Sequence, residues 1–168
     1  MTDQAPILTV TLNPALDLST AADAVRPDLK LRCDKPVADP GGGGINVSRA
    51  IKIMGGTSTA MVALGGATGA RIAGMLQADG LSVVRLTAPG ETRQSLAVTD
   101  RRHGGQYRFV MPGPEWHMAQ VADMMSAIAE HARGGGWVVV SGSNPPGVAP
   151  GFEQMLTVRL QDGRARLL

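Results

Sequence analysis

The sequence predicts an α/β fold with a mainly parallel central sheet and a small separate sheet beside it. Apolar runs of strand length alternate with segments of helical period along most of the chain. Two stretches, within about residues 15–38 and 93–111, break that alternation with extended segments and no helix between them. Composition agrees: 43% of the 168 residues are hydrophobic and 18% charged, which excludes a disordered chain, and 22 glycines with 11 prolines supply turns and close backbone approaches.

Residues 7–12 are rich in β-branched side chains and lie between Pro6 and Asn13-Pro14, so they read as a strand ending at a proline turn. Leu16–Ala22 and Leu29–Val37 lack a helical period and are expected to be short strands exposed on at least one face. Asp39-Pro40-Gly41-Gly42-Gly43-Gly44 has the composition of a loop. It leads into an amphipathic helix in which Val47, Ala50, Ile51 and Met54 fall at i, i+3, i+4 and i+7, stopped by Gly55-Gly56.

Thr57–Leu64 is the next strand, Ile72, Met75 and Leu76 mark a second helix ending at Gly80, and Leu81–Leu86 is strand again. Gln94–Thr99 and Gln106–Met111 flank Arg102-His103-Gly104-Gly105 as a β-hairpin. Val121, Met124, Met125 and Ile128 predict a third helix, Trp137–Ser141 a strand, Phe152–Leu160 a fourth helix, and a last strand starts at Ala165. A central strand beginning so close to Leu168 leads to the expectation that the chain is the front part of a longer fold.

The formal net charge of +2 is too small to imply a nucleic-acid surface. A single cysteine, Cys33, excludes an internal disulfide and a Cys-rich zinc site, and the three histidines show no metal-ligand spacing, so no metal site is expected. The N-terminus has neither the basic region of a signal peptide nor a membrane-length apolar run. The expectation is a cytoplasmic protein without membrane or nucleic-acid partners.

The four-glycine run is the strongest local signal. A glycine loop that opens a helix lets backbone amides approach an oxyanion or hydroxyl, and the helix N-terminus adds partial positive charge. The run lacks the Gly-Lys-Ser/Thr of a Walker A loop and the third glycine of a dinucleotide fingerprint. A flexible linker is the plainer reading of such a tract, and Asn46 at the helix start argues against it, since its amide can cap the helix or bind a polyol.

Asp17 follows the first strand, where ligands of open α/β sheets collect; it reads equally as a turn aspartate or as an acceptor for two sugar hydroxyls. Arg93 opens the hairpin with a guanidinium suited to a phosphate, although alone it reads as a solvated arginine. Ser141-Gly142-Ser143-Asn144-Pro145-Pro146-Gly147 follows the most apolar strand, the place of a ligand loop, and is not a nucleophile elbow.

In order along the chain, Thr11-Leu12-Asn13-Pro14-Ala15-Leu16-Asp17, Lys30-Leu31-Arg32-Cys33 and Pro40-Gly41-Gly42-Gly43-Gly44-Ile45-Asn46-Val47-Ser48-Arg49-Ala50 are followed by Gly65-Gly66-Ala67-Thr68-Gly69 and Thr92-Arg93-Gln94. Gln106-Tyr107-Arg108-Phe109-Val110-Met111-Pro112-Gly113 and the Ser141–Gly147 segment complete a set of seven. Together they resemble the PfkB, or ribokinase-like, carbohydrate kinases, and most closely their minor ATP-dependent 6-phosphofructokinase branch.

The resemblance implies a ribokinase-like three-layer sandwich with a β-sheet lid, residues 1–168 being its N-terminal part without the nucleotide-binding half. It implies transfer of the ATP γ-phosphoryl, with Mg2+, to fructose 6-phosphate. Asp17, Gly42, Gly43 and Asn46 would hold sugar hydroxyls, and Arg93 with Ser143 would grip the 6-phosphate. The lid would serve as a homodimer interface, with Lys30 and Arg32 reaching phosphates in the partner subunit's site or standing as solvated charges.

The family's Asp-Thr-x-Gly-Ala-Gly-Asp signature, which carries the anion hole and the general base, and its Asn-x-x-Glu motif do not occur in the sequence. No catalytic base is therefore nominated, and negligible kinase activity is expected of these 168 residues alone. Ala15 stands where relatives can carry a serine, and Asn13 and Asn144 occupy positions that vary between branches. 1-Phosphofructokinase and tagatose-6-phosphate kinase thus remain alternative substrate readings. A non-catalytic sugar-phosphate-binding or dimerising module is the alternative of another class.

Overall fold

In the computed structural model, which describes residues 4–161 and 164–168, strands and helices alternate as β1 (Ile7–Thr11), β2 (Ala15–Ala22), β3 (Val37–Gly41), α1 (Gly43–Ile53), β4 (Thr59–Leu64), α2 (Gly66–Ala78) and β5 (Ser82–Thr87). The chain continues through β6 (Arg93–Asp100), β7 (Gln106–Val110), α3 (Met118–His131), β8 (Gly136–Val140), α4 (Phe152–Leu160) and β9 (Ala165–Leu167). Five strands form a sheet in the order β5-β4-β1-β8-β9, every pair parallel.

Because side chains alternate across a strand, β4 serves both faces of this sheet. Met61 and Ala63 join Val10, Val138, the α3 residues Met124, Met125 and Ile128, and the α4 residues Phe152, Leu156 and Leu160. Ala60, Val62 and Leu64 meet Ile45 of α1 and Ile72 and Leu76 of α2 on the opposite face. The body is therefore a three-layer α/β/α sandwich, with α3 and α4 on one side and α1 and α2 on the other.

The second sheet runs β3-β2-β6-β7. Its two outer pairs are antiparallel, and its centre is a parallel pairing of β2 with β6, Asp17 opposite Ser95 and Ala22 opposite Asp100. The two extended stretches that break the α/β alternation thus build one small separate sheet, the one expected as a lid.

One strand is displaced from its expected place. The strand expected over Leu29–Val37 is absent up to Pro36; Pro27 and Asp28, the latter with φ 58°, turn the chain, and only an isolated bridge from Cys33 to Ala22 is made before Pro36. The strand begins at Val37 and runs through Asp39-Pro40-Gly41, expected to be loop. Pro40 is accommodated because β3 lies at the sheet edge, where proline's missing N–H is least costly. Among the described residues no helix is long and apolar enough to cross a membrane.

Candidate functional site

Thr11, at the C-terminal end of β1, is buried and fastens the start of α1: its Oγ1 accepts the Ile45 N–H at 3.0 Å. The Gly44 N–H donates to Ser141 O at 3.1 Å, and the Asn46 N–H to Gly42 O at 3.0 Å. Three amides of the helix start are thereby used by the fold, and Gly41 and Gly44 are buried while Gly42 and Gly43 are partly open. Gly42, the N-cap, has φ 148°, and a Cβ there would lie 2.5 Å from Thr11 Cγ2. A Cβ on Gly43 would lie 2.6 Å from the Ser141 carbonyl carbon.

Asn46 does not cap α1. The cap is Gly42, without a side-chain hydrogen bond, and Asn46 stands exposed as the fourth helical residue.

Asp17 is half-buried on β2 and accepts a hydrogen bond from Ser95 Oγ at 2.8 Å across the parallel pairing. Arg93, the first residue of β6, donates from Nε to Asn13 Oδ1 at 3.1 Å and from Nη2 to Asn13 O at 3.2 Å. Asn13 Nδ2 in turn donates to Ser143 Oγ at 3.2 Å. This relay joins the lid root, the end of β1 and the loop after β8.

Two clefts meet at Arg93. One, of about 530 Å³, is lined by Asn13, Arg93, Met111, Gly113, Ser143 and Asn144 among others. The second, of about 350 Å³, lies against the lid and includes Asp17, Ser19, Arg93, Ser95, Gln106 and Arg108. The arrangement sets hydroxyl acceptors on one side of a guanidinium and neutral hydrogen-bonding groups on the other, which suits a polyol carrying an anionic group. A separate cleft of about 410 Å³, at the opposite ends of the strands near Pro6, Ser58, His131 and Trp137, is lined by neither carboxylate nor arginine.

Of the residues nominated from the sequence, the structure brings Asp17, Arg93 and Ser143 to these two clefts, with Gly42 and Gly43 at the adjoining helix start. Lys30 and Arg32 are exposed on the irregular connection before β3 and line neither cleft. Ala15 is buried in register with Gly41 and Arg93.

Sequence reasoning missed Asn13 as the link between Arg93 and Ser143, Ser95 as the partner of Asp17, and Arg108 as a second cation of the lid cleft. Strand alternation within the hairpin places Ser95 and Arg93 on one face. The pairing that sets this face beside Asp17 joins residues 78 apart in the chain, with no local signal.

The chain is similar in sequence and fold to known proteins. Residues 10–161 match the profile of the pfkB family carbohydrate kinases. The ATP-dependent 6-phosphofructokinase isozyme 2 of Mycobacterium tuberculosis is 43% identical over 148 residues, 88% of this chain and 44% of that protein. The Escherichia coli isozyme 2 is 44% identical over 142 residues, 84% of this chain and 46% of that protein. The crystal structure of Escherichia coli phosphofructokinase-2 in complex with fructose-6-phosphate superposes with a TM-score of 0.89 at 39% identity, covering 98% of this chain and 54% of that one. The chain spans less than half the length of the curated relatives it matches. The profile match across most of the chain, together with these relatives, places the protein in the pfkB family of carbohydrate kinases.

Proposed function

We propose that this chain forms the sugar-phosphate-binding part of an ATP-dependent 6-phosphofructokinase and that its ligand is fructose 6-phosphate. The observation that carries the reading is the position of Arg93 at the junction of two clefts, with Asp17 on one side and Ser143 on the other. In this reading Asp17 accepts sugar hydroxyls, with Ser95 orienting its carboxylate. Gly42 and Gly43 let the sugar approach the backbone closely, and Asn46 supplies a further polar group from α1. Arg93 and Ser143 hold the 6-phosphate, and Arg108 adds positive charge to the lid side.

The nucleotide supplies the γ-phosphoryl group in this reaction class. Among the described residues no group of three or more His, Cys, Asp or Glu side chains is placed to hold Mg2+. The part proposed for these residues, from the clefts around Arg93, is to bind and orient the acceptor.

The lid is also proposed as a contact surface between two copies. Leu29, Val37, Tyr107 and Phe109 are large apolar side chains left exposed on or beside it. In such a dimer Lys30 and Arg32 would be offered to the partner's ligand. A cytoplasmic location fits the proposed glycolytic substrate.

The decisive test is calorimetric titration of the chain with fructose 6-phosphate, tagatose 6-phosphate, fructose 1-phosphate, fructose and adenosine. Saturable binding of fructose 6-phosphate in preference to the others, strongly weakened but still measurable in Arg93→Ala, is the expected result. Preference for fructose 1-phosphate or tagatose 6-phosphate would reassign the substrate, and preference for adenosine would defeat the sugar-phosphate reading.

A further inference from the structure

We propose that Glu91 is a positioning residue that fixes the backbone from which Arg93 reaches the clefts; its consequence for ligand binding rests on the function proposed above. The argument begins at α2, whose N-cap Gly65 has no side chain and whose first turn contains no acidic residue. The amides at a helix N-terminus need acceptors and favour negative charge. Here they take both from a residue more than twenty positions downstream: the Thr68 N–H donates to Glu91 Oε1 at 2.6 Å and the Ala67 N–H to Glu91 Oε2 at 3.2 Å. Gly66 has φ 63°, and a Cβ on it would overlap the Glu91 carboxylate, so this close seat requires glycine.

The adjoining backbone is secured at the same place. Thr92 is buried; its N–H donates to Gly65 O at 3.0 Å, and its Oγ1 accepts from the Gly65 N–H at 2.9 Å. A Cβ on Gly65 would overlap Gly90 O. Residues 90–92 therefore lie directly on the start of α2, and Arg93 is the next residue.

Although β6 belongs to the lid, its first residue is tied to the body from both ends: through Glu91 and Thr92 to α2, and through its guanidinium to Asn13 after β1. The Thr68 hydroxyl and amide, reinforced by the Ala67 amide against the opposing effect of desolvation, hold the Glu91 carboxyl below its ordinary pKa. Glu91 is thus the charged end of a clamp whose other end is the guanidinium. Simple capping of α2 would stabilise the fold without affecting Arg93.

Two measurements separate these roles. Phenylglyoxal labelling followed by mass spectrometry reads the accessibility of the Arg93 guanidinium without any sugar ligand. In Glu91→Ala and Glu91→Gln the labelling rate at Arg93 should rise about threefold or more relative to exposed Arg85, while Glu91→Asp, which keeps the charge, should recover part of the protection. Unchanged Arg93 labelling in both Ala and Gln variants overturns the proposal, even if their melting temperatures fall.

Calorimetry then tests the consequence for the ligand. Glu91→Ala should weaken fructose 6-phosphate binding about fivefold to tenfold, and Glu91→Ala/Arg93→Ala should bind no more weakly than Arg93→Ala, the signature of two residues acting through one group. Full additivity overturns the proposal. Absence of fructose 6-phosphate binding in the unmodified chain defeats the functional reading instead, and the labelling result still decides the role of Glu91.

Discussion

Gly41 lies directly beneath the carboxylate of Asp17, so close that a single added methyl group would overlap Asp17 Oδ2 and lie 2.6 Å from its Cγ. Gly41 does not occupy the left-handed region, so its backbone conformation admits alanine. The cost of Gly41→Ala should therefore fall on the carboxylate, which must swing away from Ser95 Oγ and out of the lid cleft. Fructose 6-phosphate affinity is expected to fall about tenfold, equivalent to about 1.4 kcal/mol, with a smaller change in stability. Titration calorimetry beside a thermal melt measures both.

Asn13 separates the two halves of the relay. Its Oδ1 accepts from Arg93, its Nδ2 donates to Ser143, and a Cβ on neighbouring Gly113 would overlap Oδ1, so the amide fits one place closely. Asn13→Ala removes the side-chain acceptor of Arg93 and the donor to Ser143, leaving Arg93 only the backbone carbonyl of residue 13, and should weaken fructose 6-phosphate binding about tenfold. Asn13→Asp keeps the acceptor for Arg93 while removing the donor to Ser143. It should protect Arg93 from phenylglyoxal as well as the unmodified chain does, yet bind the sugar phosphate more weakly. Equal labelling of the alanine and aspartate variants would contradict this division.

The body of the fold was legible because its signals are local: the apolar run at Val138–Val140 reports β8, and the period of Val47, Ala50, Ile51 and Met54 reports that α1 exists. That period does not report the buried face of α1, since Gly44, Ile45 and Ser48 are the residues turned to the core while Ala50 and Met54 stand exposed. The lid was legible as an interruption but not in detail. Asp39-Pro40-Gly41 has turn composition, and what makes it strand is pairing with Ala15–Asp17, an interaction at long range. The same limit applies to the site. Asp17 and Arg93 carry recognisable chemistry, whereas Asn13 and Ser95 gain roles only when the lid brings residues about 80 apart into contact. Asn46 shows the converse, since its suitability as a cap was visible in the sequence while the backbone placed Gly42 at the cap.

Asp100, buried at the end of β6, organises the far end of the lid. Its carboxylate accepts from His103 Nδ1 at 2.9 Å and from the Val25, Arg102 and His103 amides at 3.0 to 3.1 Å. The His103 side chain first, then the amides, outweigh desolvation and lower its pKa to about 2 from an ordinary 3.8. A carboxyl whose pKa is depressed by folding stabilises the fold above its unfolded pKa and loses that contribution as pH falls through the folded value. Asp100→Asn should therefore lower the melting temperature at neutral pH, and the gap to the unmodified chain should close between about pH 4 and about pH 2. A gap that persists at pH 2 would show that the contribution is not one of ionisation.

Arg49 fastens the other end of the lid to the body. From α1 its Nη1 and Nη2 make a two-pronged contact with Asp39 on β3 at 3.0 and 3.1 Å, Nη1 also reaches Pro40 O at 3.1 Å, and Nη2 meets Asp79 beyond α2 at 2.7 Å. Burial opposes this charge, but the two aspartates outweigh it and raise the guanidinium pKa. Asp39 is opposite Asp17 in the antiparallel register, so Arg49 also neutralises a carboxylate beside the proposed sugar acceptor. Isolated surface ion pairs contribute little, yet a forked arginine joining three elements should be worth about 1 to 2 kcal/mol to the fold. Arg49→Met is expected to lower stability by that amount and to speed amide exchange along β3 more than along β4. Arg49→Lys should recover only part of the loss, because one ammonium cannot reproduce the fork. Equal exchange in β3 and β4 of the methionine variant would mean that the lid root is held by its strand pairing with β2 alone.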